Sequence, residues 1–227
     1  MVSVNEKWIE RVVSGATSPA SYKVEDASYV IRTKSSGVFK AATSSVKYND
    51  LGTSSAGKAI AELANRGITY NTTATRFVNI SKTVTREDVA TLIAKALDLS
   101  STTITKYQDL GKSLTSSYAQ GLLEAGIMSG ATSTRFDIKS SVTKQEAAII
   151  IANMYRYLNQ DLSMAYNELK TNFADVSGLS LETRQSIAIL EHFGVIAGNG
   201  NFNSNTTLTR GEFAELLYKS LKAIDFL

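Results

Sequence analysis

The sequence predicts a mainly α-helical repeat protein, with three tandem helix–loop–helix units behind a small N-terminal extension. A four-residue phrase recurs at a period of roughly sixty residues, and such self-similarity is typical of repeat architectures. An apolar stretch with helical period follows each copy, and glycine turn signals separate the elements in the same order each time. The three copies are Thr85-Arg86-Glu87-Asp88, Thr143-Lys144-Gln145-Glu146 and Thr209-Arg210-Gly211-Glu212.

Residues 1–45 differ from the repeats. The segment Val4–Val13 has apolar residues at helical spacing and predicts a short amphipathic helix. Residues Ser21–Arg32 show a strand pattern, and Val38–Phe39 could return as a second strand after a Ser-Ser-Gly turn. We therefore expect a helix and a hairpin in this extension.

The repeats are predicted to span residues 46–99, 100–160 and 161–227, and each begins with an aromatic-x-Asp motif. The first helix of each unit then runs to a glycine, with a core leucine four residues before it, as in a left-handed glycine cap. A polar loop with one phenylalanine follows. The leading aspartates are Asp50, Asp109 and Asp175; the glycines are Gly67, Gly126 and Gly194; the leucines are Leu63, Leu122 and Leu190; the loop aromatics are Phe77, Phe136 and Phe202.

The second helix of each unit has a wide apolar face, and the residue five positions after the phrase's threonine is alanine in every copy. These alanines are Ala90, Ala148 and Ala214. A small side chain in a fixed place predicts a close approach between helices.

The threonine and the acid of the phrase form a capping box. The hydroxyl accepts the N–H three residues on, and the acid reaches back to the threonine N–H. The acids are Asp88, Glu146 and Glu212. These six residues are explained by helix initiation.

The bases Arg86, Lys144 and Arg210 follow the threonines, where a cation is mildly unfavourable because the helix N-terminus is already positive. Two arrangements would compensate for this position. A carboxylate within the fold, most simply a leading aspartate, could pair with the base; or an external anion could bind between the base and exposed helix N–H groups.

The composition argues against several classes of protein. The chain has 227 residues, a formal net charge of +3 and no cysteine. Its lysines and arginines are scattered, which argues against nucleic-acid binding, and no apolar run is long enough to cross a membrane. The charged first residues lack a signal-peptide pattern. His192, the only histidine, is predicted to face solvent, and no catalytic, metal or cofactor signature is present. We expect a protein that is not an enzyme and needs no cofactor.

The ordered triplicate of aromatic-x-Asp, Gly-Ile or Gly-Val, loop phenylalanine and Thr-Arg-x-Glu resembles the S-layer homology domain family over residues 46–222. The resemblance implies a pseudo-threefold unit with a central three-helix bundle. It also implies a cell-surface module that binds an acidic, often pyruvylated, secondary cell wall polysaccharide in a Gram-positive-type bacterium. The implied ligand-binding residues are Arg86, Lys144 and Arg210, with Asp50, Asp109 and Asp175 beside them.

The repeats depart from the family pattern because the tryptophan that usually opens the first helix is absent. Trp8, the only tryptophan, lies outside the repeats. A second hypothesis is therefore a structural protein, of a surface layer or a virion, that keeps the fold without glycan binding. In that case residues 1–45 would dock a protein partner or a second copy.

Overall fold

The computed structural model describes the backbone of five N-terminal strands and residues 48–70, 78–103, 107–163 and 171–227. In these ranges the protein is mainly helical, as predicted. The helices are α1 (Ser55–Ala64), α2 (Arg86–Leu97), α3 (Leu114–Glu124), α4 (Lys144–Tyr157), α5 (Leu181–His192) and α6 (Arg210–Ala223).

The N-terminal segment corrects the predicted helix over Val4–Val13. The strands are β1 (Lys7–Val13), β2 (Ala16–Ala20), β3 (Tyr22–Glu25), β4 (Ser28–Ile31) and β5 (Val38–Thr43). The central strand β1 pairs antiparallel with both β2 and β5, and this pairing outweighs the helical spacing of its apolar residues. Pro19 lies in β2, an outer strand of this sheet, where its missing N–H is tolerated.

The predicted hairpin is also different in detail. Strands β3 and β4 pair with each other inside residues 22–31. Val38–Phe39 belongs to β5, which pairs with β1, so the second strand of the expected hairpin has another partner.

The glycine caps that end the first helices are confirmed. Gly67, Gly126 and Gly194 have φ of 76°, 68° and 66°. The residue after each glycine donates its N–H to the carbonyl of the leucine five positions before it, at 2.9 Å in all three units. The three leucines are buried, and they anchor each first helix to the core.

The second helices form the centre of the molecule. Helix α6 lies against both α2 and α4, and the repeated alanines at the fifth position are buried in each helix. Tyr155 of α4 donates its hydroxyl to the Ser220 carbonyl of α6 at 2.8 Å. Each first helix packs on the second helix of the preceding unit: α3 on α2, α5 on α4, and α1 on α6. The last helix thus packs on the first, and the three units close on each other.

A ring of three backbone hydrogen bonds lies at the start of the central helices. The Val84 N–H donates to the Leu208 carbonyl at 2.9 Å, Leu208 to Val142 at 3.0 Å, and Val142 to Val84 at 3.1 Å. One residue from each unit contributes, directly before its capping threonine. The ring fixes the pseudo-threefold arrangement that the family resemblance implied.

Candidate functional site

The capping boxes are formed in all three second helices. The threonine Oγ1 accepts the N–H of the acid three residues later, and the acid accepts the threonine N–H. In the second and third units the threonine hydroxyl also donates to that glutamate, at 2.7 and 2.9 Å. The threonine and the acid therefore start the helices, as predicted.

The next two N–H groups of each helix donate to the loop of the following unit. Arg86 and Glu87 donate to the carbonyls of Ser140 and Ile138, at 2.9 and 2.8 Å. The other two helices repeat this pattern: Lys144 and Gln145 donate to Thr206 and Ser204, and Arg210 and Gly211 to Lys82 and Ile80. The N–H groups that an external anion would need at these helix ends are thus already hydrogen-bonded.

Arg210 is neutralised within the fold. Its Nε and Nη2 donate to both carboxylate oxygens of Asp88, at 3.1 and 2.8 Å, and its Nη1 donates to the Val78 carbonyl at 2.7 Å. The guanidinium also lies 5.1 Å from the centre of the Tyr70 ring. Only 12% of the Arg210 side chain and 9% of the Asp88 side chain are exposed, so this is a buried ion pair.

Arg86 is engaged in the equivalent place between the first and second units. Its Nε donates to the Phe136 carbonyl at 2.8 Å, and its Nη2 donates to the Ser129 carbonyl. Its guanidinium stacks 4.5 Å from the centre of the Phe136 ring. Burial lowers the pKa of Arg86 from its ordinary value, with the carboxylates of Glu146 and Asp137 opposing that shift.

Lys144 occupies the third equivalent place, between the second and third units. Within the described part of the chain its ammonium group has no hydrogen bond or ion pair. It borders a cavity of about 180 Å³, which we call the Lys144 groove. The groove has an apolar and aromatic lining with two further polar side chains. Its lining residues are Lys144, Ala148, Phe173, Leu190, Ile196, Asn201, Phe202, Leu208, Glu212 and Leu216.

Two differences from the other units explain why this space is open. A lysine lacks the planar fork with which arginine reaches two acceptors at once. In addition, the third residue after the cap glycine is Tyr70 in the first unit but Ala197 in the third. Tyr70 fills space beside Arg210, and Ala197 offers no such side chain. These two repeat-equivalent positions distinguish the junction at Lys144 from the junction at Arg210.

One polar side chain of the groove keeps a hydrogen-bond acceptor that a ligand can use. Glu212 uses Oε2 for the Thr209 N–H and hydroxyl, at 2.7 and 2.9 Å. Its Oε1 has no hydrogen-bond partner among the described residues. Phe173 and Phe202 form an edge-to-face pair with ring centres 5.3 Å apart, and both border the cavity.

The leading aspartates serve the loops instead of the bases. Asp175 accepts the N–H groups of Phe202 and Asn203 at 2.7 and 2.8 Å, and these hydrogen bonds lower its pKa, with the charge of Lys144 as a smaller cause in the same direction. Asp109 accepts from Phe136 and Ile138, and Asp50 from Val78 and Asn79. No leading aspartate forms a hydrogen bond or ion pair with a base among the described residues, although the charge of Asp109 acts on Arg86 and that of Lys144 acts on Asp175. Arg210 pairs with a capping acid of the neighbouring unit.

The loop aromatic of the first unit also needs correction. Phe77 lies outside the described residues. The position equivalent to Phe136 and Phe202 is filled by Val78, which donates to the leading aspartate and is buried. The sequence analysis also missed Tyr70, Ile196 and Asn201. Counting from the cap glycine would have aligned Tyr70 with Ser129 and Ala197 and shown that this position varies.

No helix among the described residues has the length and apolarity that crossing a membrane requires. The same residues contain no group of histidine and carboxylate side chains arranged to hold a metal.

Comparison with known proteins identifies two of the three repeats. Residues 106–148 and 172–214 match the model of the S-layer homology domain. The "Surface-layer 125 kDa protein" of Lysinibacillus sphaericus is 28% identical over 175 residues, which cover 74% of this chain and 14% of that relative. The chain carries two matches to the S-layer homology domain, and these two segments supply Lys144 and Phe202 to the lining of the Lys144 groove.

Proposed function

We propose that this protein is a non-catalytic module that anchors a surface protein to an acidic polysaccharide of the bacterial cell wall. We further propose that the polysaccharide binds in the Lys144 groove. The observation that carries this proposal is the contrast among the three bases. Arg86 and Arg210 are engaged within the fold by hydrogen bonds, while the Lys144 ammonium borders an open cavity and, in the described part of the chain, acts on Asp175 only through its charge, with no hydrogen bond or ion pair.

The lining of the groove suits one acidic sugar unit. The ammonium of Lys144 provides a charge-assisted donor for a carboxylate. The aromatic and aliphatic lining provides apolar surface for the ring and for a pyruvyl methyl group. Asn201 and Glu212 can exchange hydrogen bonds with hydroxyl or amide groups of the sugar. A pyruvylated amino sugar in a secondary cell wall polymer combines these features.

Five of the six predicted ligand residues have structural roles in this proposal. Arg86 and Arg210 join neighbouring units, and Asp50, Asp109 and Asp175 hold the loops. Of these six residues, only Lys144 contacts the ligand. This assignment is narrower than the family resemblance, which implied all three bases and the three aspartates as ligand-binding residues.

The test compares two substitutions of Lys144 in pull-down assays on purified wall sacculi. Lys144→Met removes the charge, and retention should fall about tenfold or more, since a hydrogen bond to a charged group is worth about 1.5–3 kcal/mol. Lys144→Arg should also abolish retention, because arginine can pair with Glu212 and fill the groove as Arg210 does beside Asp88. Unlike Lys144→Met, it should raise the melting temperature.

One control distinguishes the loss of the charge at Lys144 from the loss of any exposed positive charge, and a second removes the polymer. Lys139→Met removes another exposed cation, one that pairs with Glu87 outside the groove, and should leave retention unchanged. Sacculi stripped of pyruvylated polymer should not retain the wild-type protein. If stripped and intact sacculi retain it equally, or if Lys144→Met binds like wild type, the proposal fails.

A structural or assembly role is the second candidate, and the N-terminal sheet is the observation that favours it. Among the described strands, β2 and β5 each pair on one side only, so the sheet could accept another strand. Light scattering on the full chain and on a version that starts near residue 45 separates the two cases. Identical monomers would exclude assembly through this segment. The relative found is a bacterial surface-layer protein, which gives no support to the virion alternative.

A further inference from the structure

A second cavity lies at the far end of helix α2 from the capping phrase. It measures about 580 Å³, more than three times the Lys144 groove, and it lies where the chain leaves α2 and enters α3. Since α2 has 12 residues, its ends are about 18 Å apart. Its lining is rich in hydroxyl groups, including those of Ser101, Thr102 and Ser117, and we call it the hydroxyl groove.

Gln120 gives this groove a feature that packing does not explain. The residue is only 5% exposed, and its Oε1 is buried without a hydrogen-bond partner in the described part of the chain. In the other first helices the corresponding positions are apolar: Ala61 in α1 and, counted from either end of α5, Ile187 or Ala188. A buried amide replaces an apolar residue only in the unit whose first helix borders this cavity.

We propose that the hydroxyl groove is a second binding site and that its ligand is a short neutral saccharide. Hydroxyl groups both donate and accept, which matches the alternating hydroxyls of a sugar. The half-buried Leu110 adds an apolar surface for a sugar ring, and among the described residues of the lining only Lys112 is charged. The volume lies within the range of pockets that enclose ligands larger than one small molecule fragment. The saccharide supplies the donor that the Gln120 oxygen lacks.

This proposal is separate from the anchoring function because the two grooves share no residue. The Lys144 groove selects an anion on an aromatic surface. The hydroxyl groove selects uncharged sugar units, such as a neutral stretch of a wall glycan. A polysaccharide long enough to span both grooves would gain affinity from the second contact.

The experiment titrates the full chain with neutral tri- and tetrasaccharides, including the trimer of β-1,4-linked N-acetylglucosamine, and follows amide signals by NMR. Signals of Ser101, Ser117 and the Gln120 side chain should shift. Gln120→Leu should weaken binding at least about tenfold. Its melting temperature should not fall, because it removes an unpaired buried acceptor.

Three further variants complete the design. Gln145→Leu makes the same change on α4, where the amide bonds Asn205, and should bind normally. Thr102→Val, an isosteric change at an exposed position, tests the groove even if Gln120→Leu is unstable. Lys144→Arg should keep neutral-saccharide binding while losing wall retention, so the two proposals can fail separately. The proposal is overturned if no saccharide shifts these signals, or if both Gln120→Leu and Thr102→Val bind like wild type.

Discussion

The side chain of Lys95 on α2 makes the stability of the fold depend on pH. Its ammonium donates to the carbonyl and the hydroxyl of Thr69, both at 2.7 Å, and no carboxylate pairs with it among the described residues. Burial lowers its pKa from 10.5 to about 8. At neutral pH Lys95 therefore stays charged in a buried place that disfavours the charge, which costs stability relative to the unfolded chain.

We predict that the free energy of unfolding rises with pH between about 8 and 10.5. Below this window both states are protonated and the cost is fully present. Within it the folded state releases the proton first, and above it the cost is gone. The shift corresponds to about 3 kcal/mol. Urea unfolding at several pH values measures the rise.

The matching variant is Lys95→Met, which removes the titrating group and keeps most of the packing. At pH 7 it should be about 1–2 kcal/mol more stable, since part of the gain is offset by the lost hydrogen bonds to Thr69. Its stability should change much less over the same pH window. Lys58→Met, at an exposed position of α1, is the control. If the free energy of unfolding rose equally with pH in Lys95→Met and in Lys58→Met, Lys95 would not be the source of the rise.

At the scale of the helices, the contact between the third and first units depends on a missing side chain. Gly211 is the second residue of α6 and lies against the loop of the first unit. A Cβ there would meet Ile80 Cγ1 at 2.6 Å and the Ala56 Cβ at 3.2 Å. The phrase has Glu87 and Gln145 at this position in the other units, so the close approach is particular to this junction.

We predict that Gly211→Ala destabilises the protein by about 1–2 kcal/mol, although alanine favours helices. The overpacking cost of about 1–3 kcal/mol exceeds the gain in helix propensity at a helix end. Gly111→Ala is the control, because a Cβ there meets no atom within 4 Å. Thermal unfolding of both variants measures the difference. Equal melting temperatures would contradict the close contact.

The elements predicted correctly depend on residues near in sequence. Threonine and acid three residues apart suffice for a capping box, and a glycine after a leucine-bearing helix suffices for its cap. Strand pairing depends on distant segments: β1 carries the helical spacing of Trp8 and Ile9, but it lies between β2 and β5. Local pattern alone could not show that arrangement.

The sequence alone predicted which three bases to consider, but not which residues contact each base. The three bases were recognised by their place in the phrase. Their surroundings come from the neighbouring unit: Asp88 for Arg210, and the Phe136 carbonyl for Arg86. The open cavity at Lys144 is lined by side chains from three helices. Such contacts are set by packing across units, which no single repeat reveals.

At the scale of the whole molecule, the three units support each other cyclically. The ring through Val84, Val142 and Leu208 joins them at one end of the bundle, and α1 packs on α6 where the last unit meets the first. The buried pair of Arg210 and Asp88 joins the same two units. We therefore expect the helical part to unfold as one cooperative unit.

We predict that hydrogen exchange gives α2, α4 and α6 the same opening free energy, within about 1 kcal/mol. Asp88→Asn should lower all three together by about 3–5 kcal/mol, because it leaves the Arg210 charge buried and unpaired. Helix α4 contributes neither partner of this pair, so its response is the decisive one. Glu62→Gln, which removes an i,i+4 pair on α1, should change little. Unchanged protection of α4 in Asp88→Asn would show that the units open separately.

The ring of three backbone hydrogen bonds also limits how this kind of protein can grow. An open solenoid can gain or lose a repeat at either end, since each repeat contacts only its neighbours. Here every unit already has two neighbours, and a fourth would find no free carbonyl at Val84, Val142 or Leu208. Lengthening by one repeat is therefore excluded. A longer protein built on this plan would add a complete second ring of three, with its own set of grooves.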